Sequence, residues 1–323
     1  MTGEFIAADV GGTHVRAGLV RAADDGTIAV LAWHNYASAD YPSLTAALGE
    51  FIAANAGAGI DRIAIACPGV VLDDAVISAN LPWRISLPEL RQQLGLRQIG
   101  FVNDFHAVAH AGQCMTANAT TLLTPDVGEA APGPVLVIGP GTGLGAAVRI
   151  AHRAGTLVLP SEVSQSAFAP GSEREIEILR WMRRRDGYVA TEQLVSGPGL
   201  SNLYLALCAI DGAAPSLSKP TEISAAARDG DRLAREAVLT FCALLGSVIG
   251  DVALICGARS VYIAGGILPQ LKEFIDHSAF RARLLGKHMM RAVLERVPVR
   301  LIEDERLGII GAASWSMQQL RED

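Results

Sequence analysis

The chemistry legible in this chain begins at Asn103-Asp104. The pair follows the apolar run 99–102 and precedes an alanine-rich segment, 106–112. The run reads as a strand and the segment as a helix, so an amide and a carboxylate arrive together at a strand's carboxyl end. In an open α/β sheet that edge is where ligands bind. Asn and Asp are also preferred helix N-caps, so the pair alone fits a cap as readily as a site.

Two glycine loops supply a second kind of chemistry. Asp9-Val10-Gly11-Gly12-Thr13 places a carboxylate at the end of a strand, two glycines in a turn and a hydroxyl after them. Phosphate oxygens need backbone N–H groups at short range, and glycine lets the backbone approach without a side chain in the way. Asp9 beside such a loop can hold Mg2+ directly or through water, because that ion keeps several waters and takes few carboxylates. Thr13 can then donate to a terminal phosphate. Gly139-Pro140-Gly141-Thr142-Gly143 repeats the device between two further apolar runs. No lysine follows it, so it is not a P-loop, and a strand comes next, so it is not a dinucleotide fingerprint. A two-glycine turn also closes ordinary hairpins; two such loops can cradle a polyphosphate from both sides. A third turn, Ala264-Gly265-Gly266-Ile267, leaves room for a base and ribose against the backbone, or serves as a helix cap.

The elements that must position these groups follow from periodicity. Residues 5–10, 15–20 and 28–34 read as an antiparallel meander. Leu44, Leu48 and Ile52, spaced by four, predict a helix over 41–55. A strand at 63–66, a polar hairpin around Asp73-Asp74, a helix at 87–94 and the strand at 99–102 complete the first part. Strands at 135–139 and 144–150 then reproduce the opening, so the second half begins as the first did. Beyond Pro170 the chain reads as mostly helical to Gly257, with strands at 261–264 and 299–302 and a closing helix over 307–320. The class is α/β.

Composition bounds the alternatives. The 323 residues suffice for two domains, half of them are hydrophobic, and the net charge is -6. That balance argues against a nucleic-acid surface, and the arginines within 180–185 read as the solvated end of a helix. Cys67, Cys114, Cys208, Cys242 and Cys256 form no C-x-x-C pair and read as buried reduced thiols. Residues 233–257 are long and apolar but carry Arg235, Glu236 and Asp251, which predicts a core helix and no membrane partner. The start leads into a strand without a basic and apolar leader, so a cytoplasmic location is expected.

With these motifs in view the chain resembles the sugar kinases of the actin, Hsp70 and hexokinase superfamily, and within them the bacterial glucokinases. Residues 9–16 are similar to that family's first phosphate motif, 139–145 to its second and 264–267 to its adenosine motif. Tyr41-Pro42-Ser43-Leu44, Asn103-Asp104-Phe105, Phe168-Ala169-Pro170, Ser196-Gly197-Pro198-Gly199-Leu200 and Leu307-Gly308-Ile309-Ile310-Gly311 follow in the family's order. The resemblance implies a two-domain ribonuclease H-like (actin-like ATPase) fold with an interdomain cleft. Residues 1–113 plus 305–323 would form the smaller domain and 114–304 the larger, and a homodimer is common.

By the same resemblance the reaction is ATP-dependent phosphorylation of a hexose, glucose foremost, with Mg2+. Asp104 matches the catalytic base and Asn103 a sugar ligand. Glu162 and Glu192 match two carboxylates that bind sugar hydroxyls, and Asp9, Gly11, Gly12, Thr13, Gly141, Thr142, Gly143, Gly265 and Gly266 match the nucleotide site. The chain departs from the family where Glu-Gly-Gly-His is usual, because Glu162-Val163-Ser164-Gln165 stands there. Gln165 donates and accepts but cannot become cationic. A kinase for N-acetylglucosamine or another 2-substituted hexose is therefore the alternative within the class. A non-catalytic sugar sensor is the alternative outside it, opposed by the presence of Asp9, Asp104 and both glycine hairpins.

Overall fold

The computed structural model describes residues 3–23, 26–55, 59–78, 81–113, 120–128, 130–153 and 155–322. The chain divides into two compact units, Met1–Ala119 with Asp304–Asp323, and Thr120–Glu303.

The first unit opens with β1 (Glu4–Val10), β2 (His14–Ala22) and β3 (Ile28–Ala37). There follow α1 (Leu44–Asn55), β4 (Arg62–Ala66), a small sheet of β5 (Val70–Leu72), β6 (Ala75–Ile77) and β7 (Ile85–Ser86), then α2 (Leu87–Leu94), β8 (Gln98–Val102) and α3 (Asp104–His110). The main sheet has the order β3-β2-β1-β4-β8. β1 to β3 are antiparallel, and β4 and β8 run parallel to β1. β1 is buried along most of its length, as a strand covered on both faces must be, whereas β3 at the edge has alternating exposure. Phe51, Leu48, Ile63 and Ile65 are among the fully buried residues of this unit's core.

The second unit contains β9 (Thr120–Leu122), β10 (Val135–Pro140), β11 (Leu144–His152), β12 (Gly155–Ser161), α4 (Glu173–Asp186), α5 (Gly197–Ile210), α6 (Pro220–Arg228), α7 (Arg232–Cys256), β13 (Ser260–Ile263), α8 (Leu268–Ile275), α9 (Phe280–Leu285), α10 (Arg291–Leu294) and β14 (Val299–Ile302). Its sheet has the order β12-β11-β10-β13-β14-β9. An antiparallel trio followed by two parallel strands recurs, with β9 added antiparallel to β14. The repetition of the opening device thus extends to strand order. The chain then returns to the first unit as α11 (Leu307–Glu322), which packs on β1, β2 and β4 and against α3.

Helix α7 is long and apolar enough to cross a bilayer by length and composition, yet 61% of its most apolar window is buried. Asp231 caps it by accepting the Ala234 N–H, and Gly257 ends it in the left-handed region at φ 65°. It is a core helix, as its charged residues predict. The arginines at the end of α4 are exposed, with Arg185 paired to Asp186 at 2.7 Å.

Several expectations need correction. The helix expected from Tyr41 begins at Leu44, because Ser43 caps it by accepting the Ala46 N–H. The helix expected from His106 begins at Asp104. β9 and β12 were not anticipated. Cys67, Cys208 and Cys242 are buried, but Cys256 is only half-buried, next to the exposed Ile255 at the end of α7. Cys114 lies outside the described residues.

Candidate active site

In the first unit the parallel strands β1, β4 and β8 end side by side. Asp9 is the register partner of Ala66, and Ala66 of Val102. Asp9, Cys67 and Asn103-Asp104 therefore line up along the carboxyl edge. Cys67 is held there by its N–H, which donates to the Val102 carbonyl at 3.0 Å. Burial, together with the negative charges of Asp104 and Asp9, pushes the Cys67 thiol well above its ordinary value. Both carboxylates thus act on one buried sulfur.

Asn103 is the N-cap of α3. Its Oδ1 accepts the N–H groups of Phe105 and His106 at 3.1 and 3.2 Å. The capping reading holds, and it leaves the amide Nδ2 as the group able to donate to a ligand. Asp104 is the first residue of the helix, and its Oδ1 accepts the Phe105 N–H at 2.9 Å. A carboxylate at a helix N-terminus is favoured as the anion.

The first glycine loop is a closed turn, with the Gly11 N–H donating to the His14 carbonyl at 2.8 Å. Ser38, buried just after β3, braces it twice: its N–H donates to the Thr13 carbonyl at 2.8 Å and its Oγ to the Gly11 carbonyl at 3.3 Å. Asp9 faces Arg16, its register partner on β2, with Arg16 Nη1 donating to Oδ2 at 3.3 Å. Burial raises the Asp9 carboxyl above its usual value, and the charge and hydrogen bond of Arg16 pull it back. On its other side Asp9 touches Gly308 in the first turn of α11, where a Cβ would lie 2.4 Å from Asp9 Cγ.

Asp9 fits a metal that keeps most of its waters, since one carboxylate is the share expected for Mg2+ carried by phosphates. Among the described residues no group of three or more His, Cys, Asp or Glu could hold an ion by itself. His14 Nδ1 and Arg16 Nε are buried beside this loop without a protein hydrogen-bond partner, which leaves unspent polar capacity there.

In the second unit four of the expected segments converge. The loop Gly141–Gly143 is closed by the Gly141 N–H donating to the Gly143 carbonyl at 2.7 Å, and it is held from outside by the Gly197 N–H donating to the Gly141 carbonyl at 2.8 Å. Gly265, at φ 104°, packs its backbone on the Pro140 carbonyl, so the third glycine turn abuts the second hairpin. Glu192, in the 3-10 turn Thr191–Gln193, accepts the Leu144 N–H on Oε2 at 2.8 Å, and Gln165 Nε2 donates to its Oε1 over 3.4 Å. Thr142 and Gly266 are exposed beside them. Glu162 and Gln165 are also exposed, and Glu162 is the N-cap residue of the turn Val163–Gln165. Tyr188 fixes that turn by donating to the Gln165 carbonyl at 2.7 Å.

Sequence reasoning missed the braces. Ser38, Cys67 and the contact of Gly308 with Asp9 involve segments distant in sequence from the loops they support. No local pattern announces them.

This arrangement, glycine hairpins with carboxylates at strand ends, has counterparts among known proteins. The Glucokinase family profile matches residues 6–319. A glucokinase-like protein of Xylella fastidiosa is 42% identical over 320 residues, covering 98% of this chain and 95% of that protein. A glucokinase of Chromobacterium violaceum is 39% identical over 311 residues, covering 95% and 87%. Among solved structures, a glucokinase from an Antarctic psychrotroph superposes with a TM-score of 0.83 at 30% identity, covering 98% of this chain and 99% of that one. Fold and site together define an ATP-dependent sugar kinase. The chain belongs to the glucokinase family.

Proposed function

We propose that the chain transfers the γ-phosphoryl group of ATP to the 6-hydroxyl of glucose, with Asp104 as general base. The observation that supports this most is the placing of Asp9 and Asp104 around Cys67 at one strand edge, beside a braced glycine loop. Phosphoryl transfer asks a protein mainly for positioning and charge stabilisation. Asp104, oriented by the Phe105 N–H, accepts the hydroxyl proton as the bond to phosphorus forms. Asn103 Nδ2, Glu162, Gln165 and Glu192 orient the sugar. Gly11, Gly12, Thr13, Gly141, Thr142 and Gly143 receive the phosphates, and Gly265 and Gly266 the nucleoside. Mg2+ on the phosphates supplies charge neutralisation when bound, and Asp9, oriented by Arg16, would hold its hydration shell. It includes a ribonuclease H-like description of each sheet, for which the repeated strand order speaks, and action as a cytoplasmic homodimer.

Gln165 favours a second substrate reading, a hexose substituted at C2. Its amide is engaged with Glu192, and no imidazolium stands at that position. The test is a coupled ADP-release assay over glucose, N-acetylglucosamine, mannose and fructose, on the wild type and on Gln165→His. Glucose-dependent turnover, lost by about 10²- to 10⁴-fold in Asp104→Ala with sugar binding kept, is the expected result. Near-normal turnover in Asp104→Ala would remove the base assignment. Sugar binding with no turnover in the wild type would make the chain a sensor.

A further inference from the structure

Glu192 touches both functional parts of the second unit. Its Oε2 accepts the N–H of Leu144, the first residue after the second glycine loop, at 2.8 Å. Its Oε1 receives Gln165 Nε2 at 3.4 Å. The carboxylate also occupies the space a side chain at 143 would need, since a Cβ there would lie 2.5 Å from Oε2. The backbone beneath it is fixed as well, with Ser196 Oγ donating to the Glu192 carbonyl at 2.7 Å and also accepting the Gly199 N–H as the N-cap of α5. One residue further on, the Gly197 N–H grips the Gly141 carbonyl. The segment 192–197 therefore holds the loop at both of its ends.

We propose that Glu192 is a positioning residue that couples hexose binding to nucleotide binding. One oxygen sets the Gly141–Leu144 loop for phosphate, while the other is shared between Gln165 and a sugar hydroxyl. A hydroxyl that donates to Oε1 tightens the hold on the carboxylate and so on the loop. By linkage, nucleotide on the loop favours the sugar by the same factor. This rests on the kinase reading above for the loop and for Gln165. It adds that a residue matched only to the sugar also sets the affinity of the phosphate loop.

The experiment is titration of a fluorescent ADP analogue without sugar and with saturating glucose, on wild type, Glu192→Ala, Glu192→Gln and Glu162→Ala. A hydrogen bond to a charged group is worth enough that Glu192→Ala is expected to weaken ADP binding without sugar by about tenfold. Glu192→Gln keeps one carbonyl oxygen for the Leu144 N–H, so it recovers ADP affinity while hexose affinity stays low. Glu162→Ala loses hexose affinity and keeps that for ADP. Wild-type ADP affinity in folded Glu192→Ala overturns the coupling. Should that variant not fold, Glu192→Gln carries the test through the glucose arm: ADP affinity that no longer responds to saturating glucose supports the proposal, and a wild-type response to glucose overturns it. A wild type that binds no ADP and turns over no sugar refutes the kinase reading instead, so the two failures are distinguishable.

Discussion

Gly308→Ala puts the assignment of Asp9 at risk with a single methyl group. At 308 a Cβ would sit 2.4 Å from Asp9 Cγ, 2.5 Å from Oδ2 and 2.6 Å from Cβ, where ordinary contact is 3.4–4 Å. Relief requires Asp9 and α11 to part by about 1 Å, and an error of that size in a catalytic group can cost roughly 100-fold in rate. Stability should change much less. Helix propensity favours Ala by about 1 kcal/mol, against an overpacking cost of about 1–3 kcal/mol. Gly18→Ala, on β2 facing the same helix, is the control: its Cβ would meet Ile309 Cγ2 at 2.8 Å, an apolar side chain that can turn away. The assay is sugar-dependent ADP release with thermal melts of each variant. The expected result is a folded Gly308→Ala with turnover down by about two orders of magnitude, beside a Gly18→Ala close to wild type. A folded Gly308→Ala with wild-type turnover would refute either the role of Asp9 or its need for this contact.

Glu175, with 6% of its side chain exposed, accepts Arg283 at 2.6 and 3.1 Å and the Gly171 N–H at 2.6 Å. Glu175→Ala strands that guanidinium and should cost about 3–5 kcal/mol in denaturant unfolding; an unchanged midpoint would contradict this. Cys67, its thiol pushed up by burial and by two carboxylates, should resist iodoacetamide at pH 8 until the chain is unfolded, as read by mass spectrometry. Asp304 has its carboxyl lowered below its ordinary 3.8, chiefly by the hydrogen bond from Arg306. A lowered folded pKa adds stability above the unfolded value that is lost as pH falls through the folded one. Asp304→Asn should therefore cost up to about 1 kcal/mol at neutral pH and nothing in strong acid; a difference that persists at low pH would contradict the pairing.

What the sequence revealed depended on how local the signal was. The hairpins around Gly11-Gly12 and Gly141–Gly143, the strand-to-helix junction at Asn103-Asp104 and the core helix α7 each carry their pattern within a short stretch. β12 did not show, because Leu157, Val158 and Leu159 are consecutive apolar residues of which only Val158 is buried, so no polar alternation marks its inner face. β9 has three residues, and its partner β14 lies far along the chain. The hydrogen bonds that brace the candidate site residues were not legible. Glu192 read as a sugar carboxylate, yet its hydrogen bond to Leu144 arises only when the turn Thr191–Gln193 folds against β11.

The return of α11 to the first unit has a consequence for how the protein is made. The second unit is continuous, Thr120–Glu303, and can close on itself as it leaves the ribosome. The first unit cannot, because the helix that covers β1, β2 and β4 and sets Asp9 through Gly308 is synthesised after it. At roughly 5–20 residues per second that delay is on the order of 10–40 s. Throughout it the β1–β2 hairpin exists without the contact of Gly18 with Ile309, an open apolar face on the nascent chain. The earliest-made glycine hairpin is thus the last to be finished.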